Sequence, residues 1–424
     1  RRHAGALPDI AHHHLLGELG ELGHDVGHGG DGGPRGDAGQ VLALGFIAAA
    51  LQQGVGGAIS GNTLSLSANV IAAVEAGGSA TFVNGITVPN GARMYVADST
   101  VAAGTTLTNA GELHLAGQTA TINATSVVNT GLVRGSGRVN SVVTNNASGQ
   151  IRVAAGERLE ILGAAGNSVN NGLVDADGGT IEFGRPVNNS TTSPSTGLIA
   201  ARQATLRFQG GLFNNGALTF TAGVSDVFGD VTNQNTLSTP GRIIVSGDAQ
   251  VNFYDDVANS GTIQVSASGN LQSTAVFLGS YSGAGVSGTG HVFMEGDVRP
   301  GFSPGTMAIG GDLSFGAFSR LLIELAGTAP GTQFDRVTVA GSAALAGGLD
   351  VSLLGGFKPA MGSSFQFLTA AGGIAGSFDD LTLPALSGGA SWSVNYTGNS
   401  VTLAVGGVDA GTDDDRGGRR GHAA

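Results

Sequence analysis

The 424-residue sequence has no cysteine, a single lysine (Lys358), a single tryptophan (Trp392) and four tyrosines. Without cysteine it can build neither a disulfide framework nor a thiolate metal site. Charged residues make up 12% of the chain, about half the ~25% of an average domain. The formal net charge is −12, and with so few basic groups a phosphate-binding surface is not expected, so nucleic acid is excluded as a partner. The apolar run Val41-Leu-Ala-Leu-Gly-Phe-Ile-Ala-Ala-Ala-Leu51 is eleven residues long, whereas a helix needs about 20 to cross a bilayer. No transmembrane segment is expected in this chain. Between residues 59 and 298 no helical apolar period is sustained.

What the chain has in excess is glycine, 75 residues, more than twice the ~7% of average usage. Hydrophobic residues reach 41%, mostly small Ala, Val, Leu and Ile set in alternation with polar ones. That is enough apolar surface for a long narrow core but not for one large globule.

The alternation is organised by a repeat: Asn, one or two residues, Gly, then a short apolar/polar run. Its clearest copy is Asn109-Ala-Gly-Glu-Leu-His-Leu115. It returns at Asn129-Thr-Gly-Leu-Val133, Asn146-Ala-Ser-Gly-Gln-Ile-Arg-Val153, Asn171-Gly-Leu-Val-Asp-Ala176, Asn215-Gly-Ala-Leu-Thr-Phe220 and Asn259-Ser-Gly-Thr-Ile-Gln-Val265, with a looser Asn233 copy and an earlier one at Asn84. Each copy reads as a turn followed by a strand, because Asn and Gly tolerate positive φ and alternation puts every second side chain on one face. From Asn84 to Asn259 the chain advances 175 residues in eight steps, counting the interval between Asn171 and Asn215 as two. About 22 residues per step is the mark of a solenoid, whose units complete their core only by stacking.

The fold class expected is therefore all-β: a right-handed parallel β-helix with a C-terminal β-rich cap. Asn109, Asn129, Asn146, Asn171, Asn215 and Asn259 are expected at equivalent corners, their amides stacked as a ladder. Nine or ten turns between residues 60 and 298 would make a rod roughly 45 Å long.

Five regions follow in chain order. Residues 1–40 carry six of the nine histidines in a Gly-rich setting and read as a disordered lead. Residues 41–58 hold the apolar run and read as an N-terminal capping helix or the remnant of a secretory signal. Residues 59–298 are the β-helix, with 187–197 interrupting the repeat as an exposed loop. At Arg299-Pro-Gly-Phe-Ser-Pro-Gly-Thr306 the period stops, and 299–405 are expected to form a β-sandwich-like or flattened-solenoid cap. Phe315, Phe318, Phe334, Phe357, Phe365, Phe367, Phe378 and Trp392 concentrate in that module. Residues 406–424 form a charged, Gly-rich tail expected to be disordered.

Candidate chemistry is sparse. Asp255 and Asp256 are the best paired carboxylates, with Asp230 about one turn earlier, and paired acids can act as general acid and base. The plainer reading is a solvated turn before Asn259. His24 and His28 have a helical metal-ligand spacing, but Gly23, Gly27, Gly29 and Gly30 oppose a helix. Asp175-Ala-Asp177-Gly178 opens like a calcium loop without the later ligands, and Asp413-Asp-Asp415 is too few oxygens for a site. Neither a metal nor a cofactor is expected. His114 and His291 each alternate with apolar residues in a strand, which does not support Ser-His-Asp catalysis.

Pro300-Gly-Phe-Ser-Pro-Gly-Thr306, 321–327, Phe334-Asp-Arg-Val-Thr-Val-Ala-Gly341, Leu353-Leu-Gly-Gly-Phe-Lys-Pro359 and 372–383 resemble the module closing many bacterial autotransporter-type passengers and related sorted surface proteins. The Asn-Gly turns are similar to the β-helical repeats of such passengers, and the resemblance covers roughly residues 80–405. It implies a secreted or surface-displayed β-helix of a Gram-negative-like bacterium. It departs from the pattern in that neither a membrane β-barrel nor a Pro-Glu-Pro sorting motif with an apolar helix follows Val405 in this sequence.

Two functions are compatible with these readings. The favoured one is a non-enzymatic surface or matrix protein, adhesin-like or a structural stalk, whose partners would be host or matrix glycans or proteins, or further copies of the chain. The alternative is a polysaccharide-active lyase or glycoside hydrolase, which would need carboxylates and an arginine converging across adjacent turns.

Overall fold

The computed structural model describes residues 42–44, 58–192, 195–235 and 240–407. The lead at 1–40, with His24 and His28, and the tail beyond residue 407 lie outside them. Among the described residues every named element is a β-strand. Apart from a few short antiparallel hairpins, the strands bury one face by stacking in parallel on their counterparts one turn earlier, and the result is a β-solenoid.

Three faces recur in each turn. The first face is a 16-stranded sheet whose strands follow chain order from Ile71–Val74 through Arg93–Ala97 and Glu112–Ala116 to Ser364–Ala370. The second and third faces together form a 26-stranded sheet. In early turns these two faces are one bent strand, such as Thr100–Asn109, whose register shifts between Ala103 and Thr106 at the bend. In later turns the bend separates two strands, such as Arg158–Ile161 and Ser168–Asn170. We call the bend from second to third face the second corner, and the turn from third to first face the third corner. Between residues 58 and 298 the stack makes about 11 turns, more than the nine or ten expected, for a length of roughly 50 Å at ~4.8 Å per turn.

The core is a set of in-register columns. On the second face Phe183, Phe208, Val227, Phe253, Phe277, Met294 and Phe315 are successive partners. Within this column Phe183 stacks on Phe208 at 5.4 Å and Phe253 on Phe277 at 4.9 Å. Each buried ring contributes roughly 2–3 kcal/mol, so such a column stabilises the stack without any large globular centre.

The repeat glycines are needed for a reason other than φ. Gly131 and Gly216 are not among the positive-φ residues, but a Cβ on Gly131 would lie 2.1 Å from the Gly111 carbonyl oxygen, and one on Gly216 would lie 2.3 Å from that of Gly197. Turns stack so closely at the third corner that only hydrogen fits between them.

Four local expectations are corrected. Leu42–Leu44 is a strand paired in parallel with Leu64–Leu66, not part of a capping helix. The stretch 187–197 does not leave the stack: Val187–Asn189 pairs in parallel on both sides, and only a small antiparallel hairpin, Thr191–Thr192 with Ser195–Thr196, projects from it. The solenoid does not stop at Arg299 either. Asp297–Pro300, Arg320–Leu325, Gly348–Leu353 and Asp380–Thr382 continue in parallel, as do Thr306–Ile309, Arg336–Val339 and Ser364–Ala370. Finally, Phe318 is 84% exposed and takes no part in the aromatic core.

What closes the stack is an antiparallel hairpin, Ala390–Tyr396 with Ser400–Gly407, laid on the Ser364–Ala370 edge. Trp392 packs against the core there and donates its indole N–H to the Pro384 carbonyl at 2.9 Å. Phe365, fully buried beneath, meets Phe334 edge-on at 5.4 Å.

Candidate functional site

The third corner carries the most regular polar feature of the molecule. Asn109, Asn129, Asn145, Asn170, Asn189, Asn214, Asn233 and Asn259 are buried in successive turns. Each of the first seven donates through Nδ2 to the Oδ1 of the next, at 2.7–2.9 Å. Nδ2 also donates to a backbone carbonyl of the following turn, for example Asn170 to Leu198 at 3.2 Å. A buried amide left unpaired costs roughly 1–3 kcal/mol, and stacking satisfies each one with its neighbour. Asn109, Asn129 and Asn259 are members as expected. Asn146, Asn171 and Asn215 are half-buried turn residues immediately after the ladder positions, so the ladder runs one residue earlier, through Asn145, Asn170 and Asn214. Asn84 is exposed in its strand, and Val88 occupies the register position beneath Asn109.

The ladder has two different ends. Beneath Asn109 there is no donor, and its Oδ1 is buried without a partner. At the other end Asn259 donates to the Tyr281 hydroxyl at 2.9 Å, and that hydroxyl donates to the Ala284 carbonyl. Burial pushes the Tyr281 phenol far above its usual range, so it stays a neutral donor and acceptor.

The three acidic candidates lie at the second corner and are exposed. Asp255 accepts from the Gly229 amide at 2.6 Å, one turn earlier, and Asp256 from the Ser280 amide at 3.1 Å, one turn later. Their hydrogen bonds thus run to opposite neighbours, and Asp230 gives its backbone carbonyl to the Leu212 amide. The Asp255 and Asp256 carboxylates pin successive corners together rather than converging with an arginine on one point.

Charge on the outer walls is arranged in rows across turns. On the second face Arg138 and Arg158 both reach Glu160, at 2.7 and 2.9 Å, and Arg158 continues to Glu182 at 2.5 Å. On the first face Glu112 bridges Arg93 at 3.1 Å and Arg134 at 2.6 Å. His114 lies between Arg134, 3.3 Å away, and the edge of the Tyr95 ring. Burial and then the Arg134 charge hold the His114 imidazole below its ordinary pKa, so it remains neutral and packs as part of the wall. On the second face His291 is bonded to the Ser314 hydroxyl at 2.9 Å. Among the described residues no group of three or more His, Cys, Asp or Glu is placed to hold a metal ion, and no helix is long and apolar enough to cross a membrane.

One feature of the second corner escaped the sequence reading. Phe228 and Tyr254 stack there on the outside, centroids 4.3 Å apart and planes 15° from parallel. Leu278 follows in the next turn, and Tyr254 and Leu278 are 38% and 37% exposed. The signal was an apolar residue placed directly after an inward one, in Val227-Phe228, Phe253-Tyr254 and Phe277-Leu278, where alternation forces the second to point out.

These features define a parallel β-helical repeat protein. In comparison with known proteins, the chain matches no family model and no curated protein.

Proposed function

We propose that this chain is a non-enzymatic, secreted or surface-displayed β-helical protein of a Gram-negative-like bacterium, acting as a stalk or adhesin-like rod. The observation that carries this reading is the unbroken amide ladder from Asn109 to Asn259 beside the stacked phenylalanine columns. A solenoid whose every turn is tied to the next by backbone, amide and ring contacts resists bending, which is the property a spacer between a surface and a distant partner requires. Asp255 and Asp256 tie corners together, and a charged fraction of 12% suits long passive walls. Its partners are host or matrix glycans or proteins met along those walls and at projecting hairpins, not nucleic acid, given the net charge of −12.

The test is direct. The purified chain, coated on beads, is expected to adhere to extracellular-matrix preparations and to leave pectin-like and alginate-like polymers uncut. Cleavage of either polymer, abolished by replacing both Asp255 and Asp256 with Asn, would overturn the reading in favour of a polysaccharide-active enzyme.

A further inference from the structure

We propose that the second corner between residues 226 and 278 is a docking ridge for a basic polypeptide segment. This rests on the adhesive reading above and adds to it the place of contact and the chemistry of the partner.

The ridge is built by equivalent positions of three successive turns. The amides of Phe228, Tyr254 and Leu278 donate to the carbonyls of Phe208, Val227 and Phe253, each one turn earlier, so the three side chains follow one another along the solenoid axis. They face outward, with Phe228 half-buried and Tyr254 and Leu278 exposed, and large apolar side chains at equivalent positions of three successive turns form a strip of the kind that marks an interaction site. Aromatic anchors surrounded by a polar rim are the usual anatomy of a protein-binding hot spot.

Charge selects the occupant. Between residues 207 and 299 the sequence has seven acids, three arginines and no lysine. Arg207 pairs with Asp226 at 3.7 Å and Arg299 with Asp297 at 3.4 Å, while Arg242 opens a first-face strand, Arg242–Ser246. Asp230, Asp255 and Asp256 border the ridge at the corner itself, and Asp226, paired with Arg207, lies with its Oδ1 3.5 Å from the Tyr254 hydroxyl. An apolar strip edged by carboxylates fits a segment that alternates Lys or Arg with apolar side chains, and the acidic rim would steer that segment in from solution. Ring geometry argues against a sugar. Phe228 and Tyr254 are stacked on each other, so the two faces they share are closed to a pyranose ring.

The experiment measures fluorescence anisotropy of two synthetic peptides against the full chain, one alternating lysine and leucine, the other glutamate and leucine. The expected result is binding of the lysine peptide only, weakening as salt rises, and reduced about tenfold or more by Tyr254→Ala or Phe228→Ala. Asp230→Asn should flatten the salt dependence, and Val83→Ala, an exposed apolar residue elsewhere (56%), should change nothing. Circular dichroism of every variant should match the parent. Lysine-peptide binding that survives both aromatic variants would reflect charge attraction spread over the chain and would overturn the ridge. So would retardation by a neutral polysaccharide that Tyr254→Ala abolishes. If the Tyr254→Ala chain loses the peptide but still adheres to matrix, the ridge stands and is not the seat of adhesion. If neither chain adheres, the adhesive reading itself fails.

Discussion

Asn259 hands its Nδ2 hydrogen to the hydroxyl of Tyr281 at 2.9 Å, and there the amide ladder ends. The tyrosine passes the bond on to the Ala284 carbonyl, so a fully buried side chain converts a side-chain ladder into an ordinary backbone contact. Tyr281→Phe removes both bonds, while Asn259 Nδ2 keeps its longer contacts to the Ala284 and Gly285 carbonyls at 3.3 and 3.4 Å. It should lower unfolding stability by roughly 0.5–1.5 kcal/mol, read as a shift of the denaturant midpoint, with little change in the circular dichroism spectrum.

Asn145 and Asn146 are adjacent in sequence and opposite in role. Asn145→Ala deprives Asn129 of its acceptor and Asn170 of its donor and is expected to cost roughly 1–3 kcal/mol. Asn146→Ala, at a half-buried turn position, should stay within about 0.5 kcal/mol of the parent. Equal effects in the two denaturation curves would contradict the ladder assignment.

Close approach, rather than backbone handedness, is what the third-corner glycines supply. Gly216→Ala forces a Cβ to within 2.3 Å of the Gly197 carbonyl oxygen. Gly156, with φ +79 and open space around it, suffers only the left-handed penalty of roughly 1–2 kcal/mol. Thermal melts should therefore place Gly216→Ala clearly below Gly156→Ala, and the reverse order would sink this account.

Asp335 gives the solenoid a pH dependence of definite sign. Its carboxylate accepts the Gly305 and Glu324 amides at 2.6 and 2.8 Å, but burial outweighs them and lifts its pKa from 3.8 to about 6. The folded state thus holds this proton more tightly than the unfolded chain does. The stabilisation is complete below about pH 4 and is lost as pH rises through 6. Asp335→Asn cannot titrate, so the parent should lose stability relative to this variant between pH 4 and pH 7. The gap between their urea midpoints measures it, and a gap constant across that window would rule out the shift.

The closing hairpin protects an edge. A chain ending at residue 388 exposes the Ser364–Ala370 strand that Ser400–Gly407 covers, and unpaired strand edges recruit other chains. Light scattering should show concentration-dependent association of that truncation, while its β-type circular dichroism persists.

The period and the existence of the ladder were legible in sequence because Asn at a tight corner, followed by Gly, is a rare combination that recurs at turn length. Membership was mistaken where asparagines come in pairs. Alternation resolves such cases: Val143 points in, so Asn145 does and Asn146 does not. Asn189 went unseen because the residues after it, the 191–196 hairpin, break the motif, while the strand before it stays in register. The boundary placed at Arg299 followed a real change of texture, but parallel pairing depends on inward spacing, and that continues through Leu321, Ile323 and Leu325. The outward aromatic pair was hidden because composition counts rings without saying which way they face.

The ladder also has a direction. Every Nδ2 points toward the later turn and every Oδ1 toward the earlier one, so eight amide dipoles add head to tail along the rod. A column of this kind could in principle be continued by a second molecule and grow into a fibril, as amide ladders do in cross-β assemblies. Here both termini are stopped from within: Val88 covers the acceptor end with a side chain that has nothing to donate, and Tyr281 turns the donor end back onto its own backbone. The ladder is thus a unit of finite length, closed at each end by a neighbouring turn of the same chain.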